Sequence, residues 1–434
     1  MTSTLNLKGK RILIACVPAD GHFNPLTGLA MHLREQGAEV RWYTSVIFSK
    51  KLGQLGIPHY PFVKALDINM ENLEVVFPHR KDITDPIKKL NFDLIEAFGK
   101  RGEEYYADLQ AIYAEYAFDM AIVDCTFSAI PFIKHKMKIP VLTIGVMPLI
   151  ASSVDLAPYG MALPPAANAE EKAQFAQIHE QATNVMFKES IDAFEGSLTR
   201  HGIPFKRALL LDVLVRESDL FLQIGSPGFE YKRSDIGSNV RFIGGLYGYT
   251  SNKPREKWFD ERLNKYKKVI LVTQGTVEKN LTKLVEPTLE AYKNTDTLVI
   301  VTTGYNGTAE LRARYKADNI IIEDYIPFGE VMPKVDVYVT NGGYGGTLLS
   351  IQHNLPMVAA GVHEGKNEIC ARVGYFKLGV NLGTETPTVQ QIREAVDSVL
   401  GDESYAQSLD RVGKDISSYD AYALCVQHIQ ELLN

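Results

Sequence analysis

The chain has 434 residues, of which 45% are hydrophobic and 23% charged, with a formal net charge of -6. That length and balance predict two globular domains with a core each. The negative charge offers no field to draw in nucleic acid or an anionic membrane, so neither is expected as a partner. The four cysteines Cys16, Cys125, Cys370 and Cys425 are far apart and form no CxxC pair, so no zinc site or disulfide framework is expected. The opening MTSTLNLKGK lacks the apolar core of a signal peptide. No stretch approaches the roughly 20 apolar residues of a membrane span. A cytoplasmic location without integral membrane association is therefore expected.

The first element is the strand-like run Arg11–Val17, followed by the loop PADGHFN. Leu26, Leu29, Ala30 and Leu33 then recur at helical spacing, with Asn24 as expected N-cap, Pro25 in the first turn and Gly37 as the stop. Strands follow at Val40–Thr44, Met120–Asp124 and Pro140–Val146, separated by helical stretches. Pro158–Ala169 (PYGMALPPAANA) is irregular and reads as a loop over a cleft. Ser226–Pro254 mixes Gly, Ser, Pro and Tyr and reads as a linker. A second strand series then runs through Lys268–Thr276, Thr297–Gly304, Asn319–Tyr325, Val335–Gly343, Pro356–Val362 and Gly379–Gly383, with helices at Val389–Leu400 and Asp420–Leu433. The alternation predicts an α/β protein: two Rossmann-like doubly wound domains facing each other across a cleft.

In such sheets, ligands bind beyond the carboxyl ends of the strands. His22 lies there, after the first strand, and its ordinary pKa of about 6.5 suits proton transfer. A loop histidine held for structural reasons fits that position about as well. Asp124 ends the run AIVD, where a buried carboxylate would orient a histidine; alone it reads better as a helix N-cap. The pair favours chemistry, because both residues open onto one crevice. NGGYGGT (Asn341–Thr347) places a glycine-rich turn between a strand and a helix. That geometry binds phosphate on backbone N–H groups, though a bare turn would look alike. It is neither a GxGxxG fingerprint nor a P-loop, which counts against dehydrogenases and P-loop hydrolases. TQGT (Thr273–Thr276) and HEGKNE (His363–Glu368) end two further strands.

Together these segments resemble the family 1 glycosyltransferases, in particular bacterial and fungal macrolide-type enzymes related to plant UDP-glycosyltransferases. GHFNP, Asp124, TQGT, FIGGL (Phe242–Leu246), YIPF (Tyr325–Phe328), NGGYGGT and PMVAAGVHEGKNE match family motifs in the right order along nearly the whole chain. The resemblance implies a GT-B-type architecture: an acceptor-binding domain over 1–235, a linker over 236–260, a nucleotide-sugar-binding domain over 261–415, and a C-terminal helix over 416–434 packing back on the first domain. It implies an inverting transfer of a hexose to a hydroxyl of a lipophilic small molecule, with His22 as general base and Asp124 orienting it. The donor would be UDP-glucose, or a dTDP-sugar, used as a co-substrate with no cofactor and no metal.

Donor contacts implied by the resemblance are Gly21, Gln274, Gly275, Thr276, Tyr325, Ile326, Asn341, Gly342, Gly343, Gly345, Gly346, Thr347, Glu364, Gly365, Lys366 and Asn367. Phe23, Met147, Tyr159 and Met161 are the expected acceptor contacts, suited to a polyphenol, terpenoid, sterol or macrolide. Three positions depart from the family pattern. Asn341 replaces a diphosphate-contacting histidine, Gly346 stands at the Ser/Thr position with Thr347 one place late, and Leu349 replaces a ribose-binding glutamate. Those departures motivate a second reading, a catalytically silent homologue serving as a helper or binding protein. A nucleotide-sugar epimerase is a third, disfavoured by the acceptor-side loop and the placement of GHFNP.

Overall fold

The computed structural model describes residues 7–69, 71–250, 258–275 and 278–434. Strands covered on both faces must be apolar along their whole length rather than alternating. That is the pattern of β1 (Arg11–Ala15), β4 (Met120–Asp124) and β5 (Val141–Gly145), which are almost wholly buried. With β2 (Glu39–Thr44), β3 (His59–Pro61), β6 (Leu220–Gln223) and β7 (Val240–Phe242) they form one sheet in the order β3-β2-β1-β4-β5-β6-β7. A second sheet holds β8 (Lys268–Thr273), β9 (Thr297–Thr302), β10 (Ile320–Glu323), β11 (Val337–Thr340), β12 (Met357–Ala359) and β13 (Gly379–Asn381), in the order β10-β9-β8-β11-β12-β13. Every strand pair is parallel. The fold is the expected α/β architecture of two parallel-sheet domains with surrounding helices.

In each sheet the strand order reverses beside its first strand, between β1 and β4 and between β8 and β11. Crevices open at such switch points because successive crossovers leave on opposite faces. His22 and Asp124 follow β1 and end β4; Gln274 and Asn341 follow β8 and β11. The topology alone therefore places both motif pairs at switch points.

The helix α1 (Asp20–Glu35) starts four residues before the expected N-cap, with Ala19 in extended conformation as its cap. GHFNP is thus helical rather than a loop, and Pro25 lies inside the helix. Asp20 in the first turn complements the helix dipole. Pro25 carries no N–H, so the Gly21 carbonyl has no helical donor. The expected linker over 236–260 includes residues 251–257, which lie outside the described residues.

One apolar cluster contains residues of both sheets, from Ile12 and Leu29 to Leu271 and Tyr344. Polar contacts add to it: Tyr344 Oη donates to the Ile224 carbonyl at 2.8 Å, and Gly228 N to Asp415 Oδ2 at 2.8 Å. The last helix (Ala421–Leu433) returns to the first domain. There the Tyr422 ring lies 5.0 Å from that of His32, and a Cβ on Gly28 would sit 2.5 Å from Tyr422 Oη. No helix among the described residues is long and apolar enough to cross a membrane.

Candidate functional site

The strongest geometry is at the first switch point. His22 Nδ1 lies 2.8 Å from Asp124 Oδ1, the carboxylate being fully buried and the imidazole 15% exposed. Asp124 Oδ1 also accepts from Thr126 N at 2.8 Å and Thr126 Oγ1 at 2.6 Å, and Oδ2 accepts from Val17 N at 2.8 Å. Burial favours the neutral acid, but His22 and the hydrogen bonds outweigh it and hold the carboxyl below its ordinary value. An ionised Asp124 can only accept, so Nδ1 carries the ring proton and Nε2 keeps its lone pair for a ligand. Cys125 Sγ lies within 4.8 Å of both groups. Its burial pushes the thiol pKa up, and Asp124 Oδ1 already takes three donors.

At the second switch point the glycine-rich turn is shorter than expected. The helix Tyr344–Gln352 begins within it, with Gly343 as N-cap and no side-chain cap. Its first-turn N–H groups lack helical acceptors by geometry, the arrangement by which a helix start can hold an anion. Nothing lies within 4 Å of where a Cβ would stand on Gly343 or Gly345. Gly342 (φ 83) is needed for packing, since a Cβ there would meet Cys370 Sγ at 2.5 Å. Gly275 is also left-handed (φ 73) and lies beside the Asn341 side chain.

Several expected contacts have side chains engaged elsewhere. Phe23 is 1% exposed and stacked on Phe48 at 4.0 Å between ring centroids, so it packs the core rather than facing an acceptor. The Ile326 side chain is in the core as well. Thr347 is buried and its Oγ1 donates to the Gly343 carbonyl at 3.0 Å, as helical threonines do. Gln274 Oε1 accepts from Leu284 N and Val285 N at 2.8 and 2.9 Å, capping a helix start. Asn341 Nδ2 donates to the Gln274 carbonyl. Gly346 abuts Tyr338, whose Oη lies 2.8 Å from a Cβ position. Thr276 lies outside the described residues.

Other expected residues are more accessible. Tyr325 is 62% exposed and Met161 43% exposed, whereas Met147 packs partly against the core. Glu364 (φ 58) and Gly365 (φ 75) form a left-handed turn before the helix Lys366–Tyr375. A non-glycine residue there costs about 1–3 kcal/mol, and such strain concentrates at ligand sites. Lys366 Nζ pairs with Glu364 Oε2 at 2.6 Å. Gly21 is exposed one residue before His22.

Thr126, Glu230 and Arg372 went unnoticed in the sequence, and Glu368 entered only as the last residue of HEGKNE. Arg372 Nη1 donates to Glu368 Oε2 at 2.9 Å and its Nη2 to Glu230 Oε1 at 2.6 Å, all three being buried between the domains. The available signal was an arginine four residues after Glu368, at the spacing that puts both charges on one helix face beside Ile369 and Val373.

Comparison with known proteins finds relatives along nearly the whole chain. Residues 286–432 match the family described as erythromycin biosynthesis protein CIII-like, C-terminal domain. The chain is similar to 4'-demethylrebeccamycin synthase of Lentzea aerocolonigenes, 31% identical over 429 residues, covering 98% of this chain and 100% of that protein. It is also similar to UDP-glycosyltransferase 2 of Phaeomoniella chlamydospora, 29% identical over 436 residues, covering 97% and 95%. Among solved structures, the glycotransferase of kitacinnamycin superposes with a TM-score of 0.77 at 19% identity, covering 98% of this chain and 99% of that one.

Proposed function

The chain belongs to the family 1 glycosyltransferases, and from that premise we propose that it transfers a hexose from a nucleoside-diphosphate sugar, UDP-glucose first, to a hydroxyl of a lipophilic small molecule. The observation that carries the mechanism is the His22–Asp124 contact at 2.8 Å. His22 Nε2 takes the proton of the acceptor hydroxyl as its oxygen bonds to the anomeric carbon. The bond from that carbon to the diphosphate breaks, and the nucleoside diphosphate leaves with the electron pair. One such displacement inverts the anomeric configuration. The imidazolium is stabilised by the buried Asp124 carboxylate. The leaving charge meets the uncapped N–H groups of the helix Tyr344–Gln352 around Gly343 and Gly345. Tyr325 offers an exposed aromatic face to the base, and Glu364, with Lys366 and Asn367 beside it, accepts from sugar hydroxyls. Met161 and Tyr159 serve the acceptor.

One observation favours a second reading, a catalytically silent homologue. One N–H of the Asn341 amide is committed to a backbone carbonyl, and Leu349, which packs partly against the core, has no polar atom to offer a ribose. The test has two stages. Calorimetric binding of UDP, dTDP, GDP and their glucose conjugates comes first, since selective binding identifies the donor. Turnover against polyphenols, sterols and macrolides comes next, with His22→Ala alongside. A folded His22→Ala protein that still binds donor but does not transfer supports the assignment; retained transfer refutes the role of His22. No binding by the wild-type chain moves the weight to the silent homologue.

A further inference from the structure

The first turn of the helix Lys366–Tyr375 carries more than the residues placed near the donor sugar. Glu368, 5% exposed, points the other way, into the first domain. Its Oε1 accepts from the backbone N–H groups of both Gly160 and Ala162, at 2.7 and 2.8 Å. Asn367 Nδ2 donates to the Gly160 carbonyl at 2.5 Å. The loop segment Pro158–Ala162 is thus tied by three hydrogen bonds to Asn367 and Glu368, in the helical turn that directly follows Glu364 and Gly365. Gly160 (φ 102) and Ala162 (φ 55) are both left-handed, and for Ala162 that conformation is strained. Behind the latch, Arg372 holds Glu368 Oε2 at 2.9 Å and joins it to Glu230, whose Oε2 accepts from Leu149 N at 2.8 Å. Tyr159, on the latched loop, has a buried hydroxyl without a hydrogen-bond partner, 3.4 Å from where a Cβ on Gly365 would stand. A buried orphan hydroxyl aimed at the sugar turn is satisfied when a ligand supplies the partner.

We propose that Glu368 is a positioning residue: it latches the acceptor-side loop 158–162 onto the donor-sugar turn, so that the sugar is given to the acceptor rather than to water. This inference rests on the transferase reading above. A stable interface needs no buried carboxylate on two loop amides, since apolar contact would serve as well. What the carboxylate adds is register, fixing Tyr159 and Met161 against residues 364–367. When the latch is open, water enters in place of the acceptor. Its oxygen bonds to the anomeric carbon, its proton goes to His22, and the diphosphate leaves as before, giving free hexose.

The experiment compares the wild-type chain with Glu368→Ala, using UDP-glucose and a polyphenol that the wild type glucosylates. Glucoside and free glucose are both quantified, and backbone amide exchange is followed over residues 158–166. Loss of the two charge-assisted hydrogen bonds is expected to raise the acceptor KM and the glucose-to-glucoside ratio roughly tenfold each. Amides of 158–162 should exchange roughly tenfold faster, with UDP binding unchanged within about threefold. A folded variant with unchanged KM and unchanged partition overturns the proposal, even if exchange accelerates, because the contact is then merely structural. Should Glu368→Ala lack a cooperative melt, Glu368→Gln keeps the shape without the charge, and a smaller shift of the same sign is expected; no shift overturns the proposal. A wild-type chain that neither binds nor turns over UDP-glucose sinks the transferase reading instead, and amide exchange then decides alone whether the latch exists.

Discussion

Asp124→Asn isolates the electrostatic part of the mechanism, because it keeps the shape of the side chain and removes its charge. With Nδ1 and Oδ1 2.8 Å apart, the imidazolium and carboxylate charge centres are separated by roughly 4 Å. At an effective dielectric of about 20, that attraction is worth about 4 kcal/mol. Each ~1.4 kcal/mol is tenfold in rate, so kcat should fall by roughly a thousandfold. The amide also costs stability. Thr126 N and Val17 N each donate to one carboxylate oxygen, and an asparagine offers only one acceptor. One buried donor is left unmatched, at about 1–3 kcal/mol, which lowers Tm without unfolding the domain. Initial rates of glycoside formation by chromatography, paired with calorimetric donor binding, provide the assay. Donor affinity should be unchanged within about threefold, since Asp124 lies in the opposite domain from the anion site. A folded Asp124→Asn protein that keeps more than about a tenth of wild-type kcat/KM would refute the reasoning.

Three further outcomes are expected. Gly346→Ala places a Cβ 2.8 Å from Tyr338 Oη, so it should destabilise by about 1–3 kcal/mol in a urea melt, and adding Tyr338→Phe should recover most of that; no recovery would mean the strain lies elsewhere. The four cysteines are free and buried, with the thiols of Cys16, Cys370 and Cys425 pushed up to about 12, chiefly by burial. Ellman's reagent at pH 8 should therefore react with none of them until urea is added, and one fast thiol in the native protein would contradict the burial. Asp124 is held below its ordinary value, and Asp155 is held at about 2 by Lys172 and Ser234. A depressed carboxyl contributes stability above its unfolded pKa of about 3.9 and loses it as pH falls through the folded value. Tm should drop between about pH 4 and pH 2, and Asp155→Asn should flatten part of that slope; an unchanged slope would show that Asp155 is not linked to it.

The two sheets were legible because a parallel strand buried on both faces leaves an uninterrupted apolar run, as in Arg11–Val17 and Lys268–Thr276. β3, β6 and β7 were missed for the same reason inverted: three or four residues such as His59–Pro61 or Leu220–Gln223 are too short to show a period. The start of α1 was misplaced because Asn24 and Pro25 form a good helix-entry signal, while the true cap, Ala19, makes no side-chain hydrogen bond. His22 and Asp124 could be paired in advance because one follows the first strand and the other ends a strand, so both lie beyond carboxyl ends of the same sheet. The Glu230–Arg372 contact could not, since its partners are 142 residues apart and nothing local marks them. Asn341 and Thr347 show the converse limit: a motif position marks a stretch of backbone, while the side chain there can satisfy its own neighbours.

The return of the helix Ala421–Leu433 to the first domain bears on how the protein is made. The face of α1 around Gly28 and His32 is covered by Tyr422, a residue translated long after it. From β7 (Val240–Phe242), which completes the first sheet, to Tyr422 is about 180 residues, which ribosomes cover in roughly 9–36 s at about 5–20 residues per second. For that interval the first domain has its sheet but not its cover, and an apolar patch is open to other nascent chains. Deleting residues 421–434 should make the interval permanent. The product is expected to collect in inclusion bodies, or on a holdase, even though both sheets and both switch points are intact.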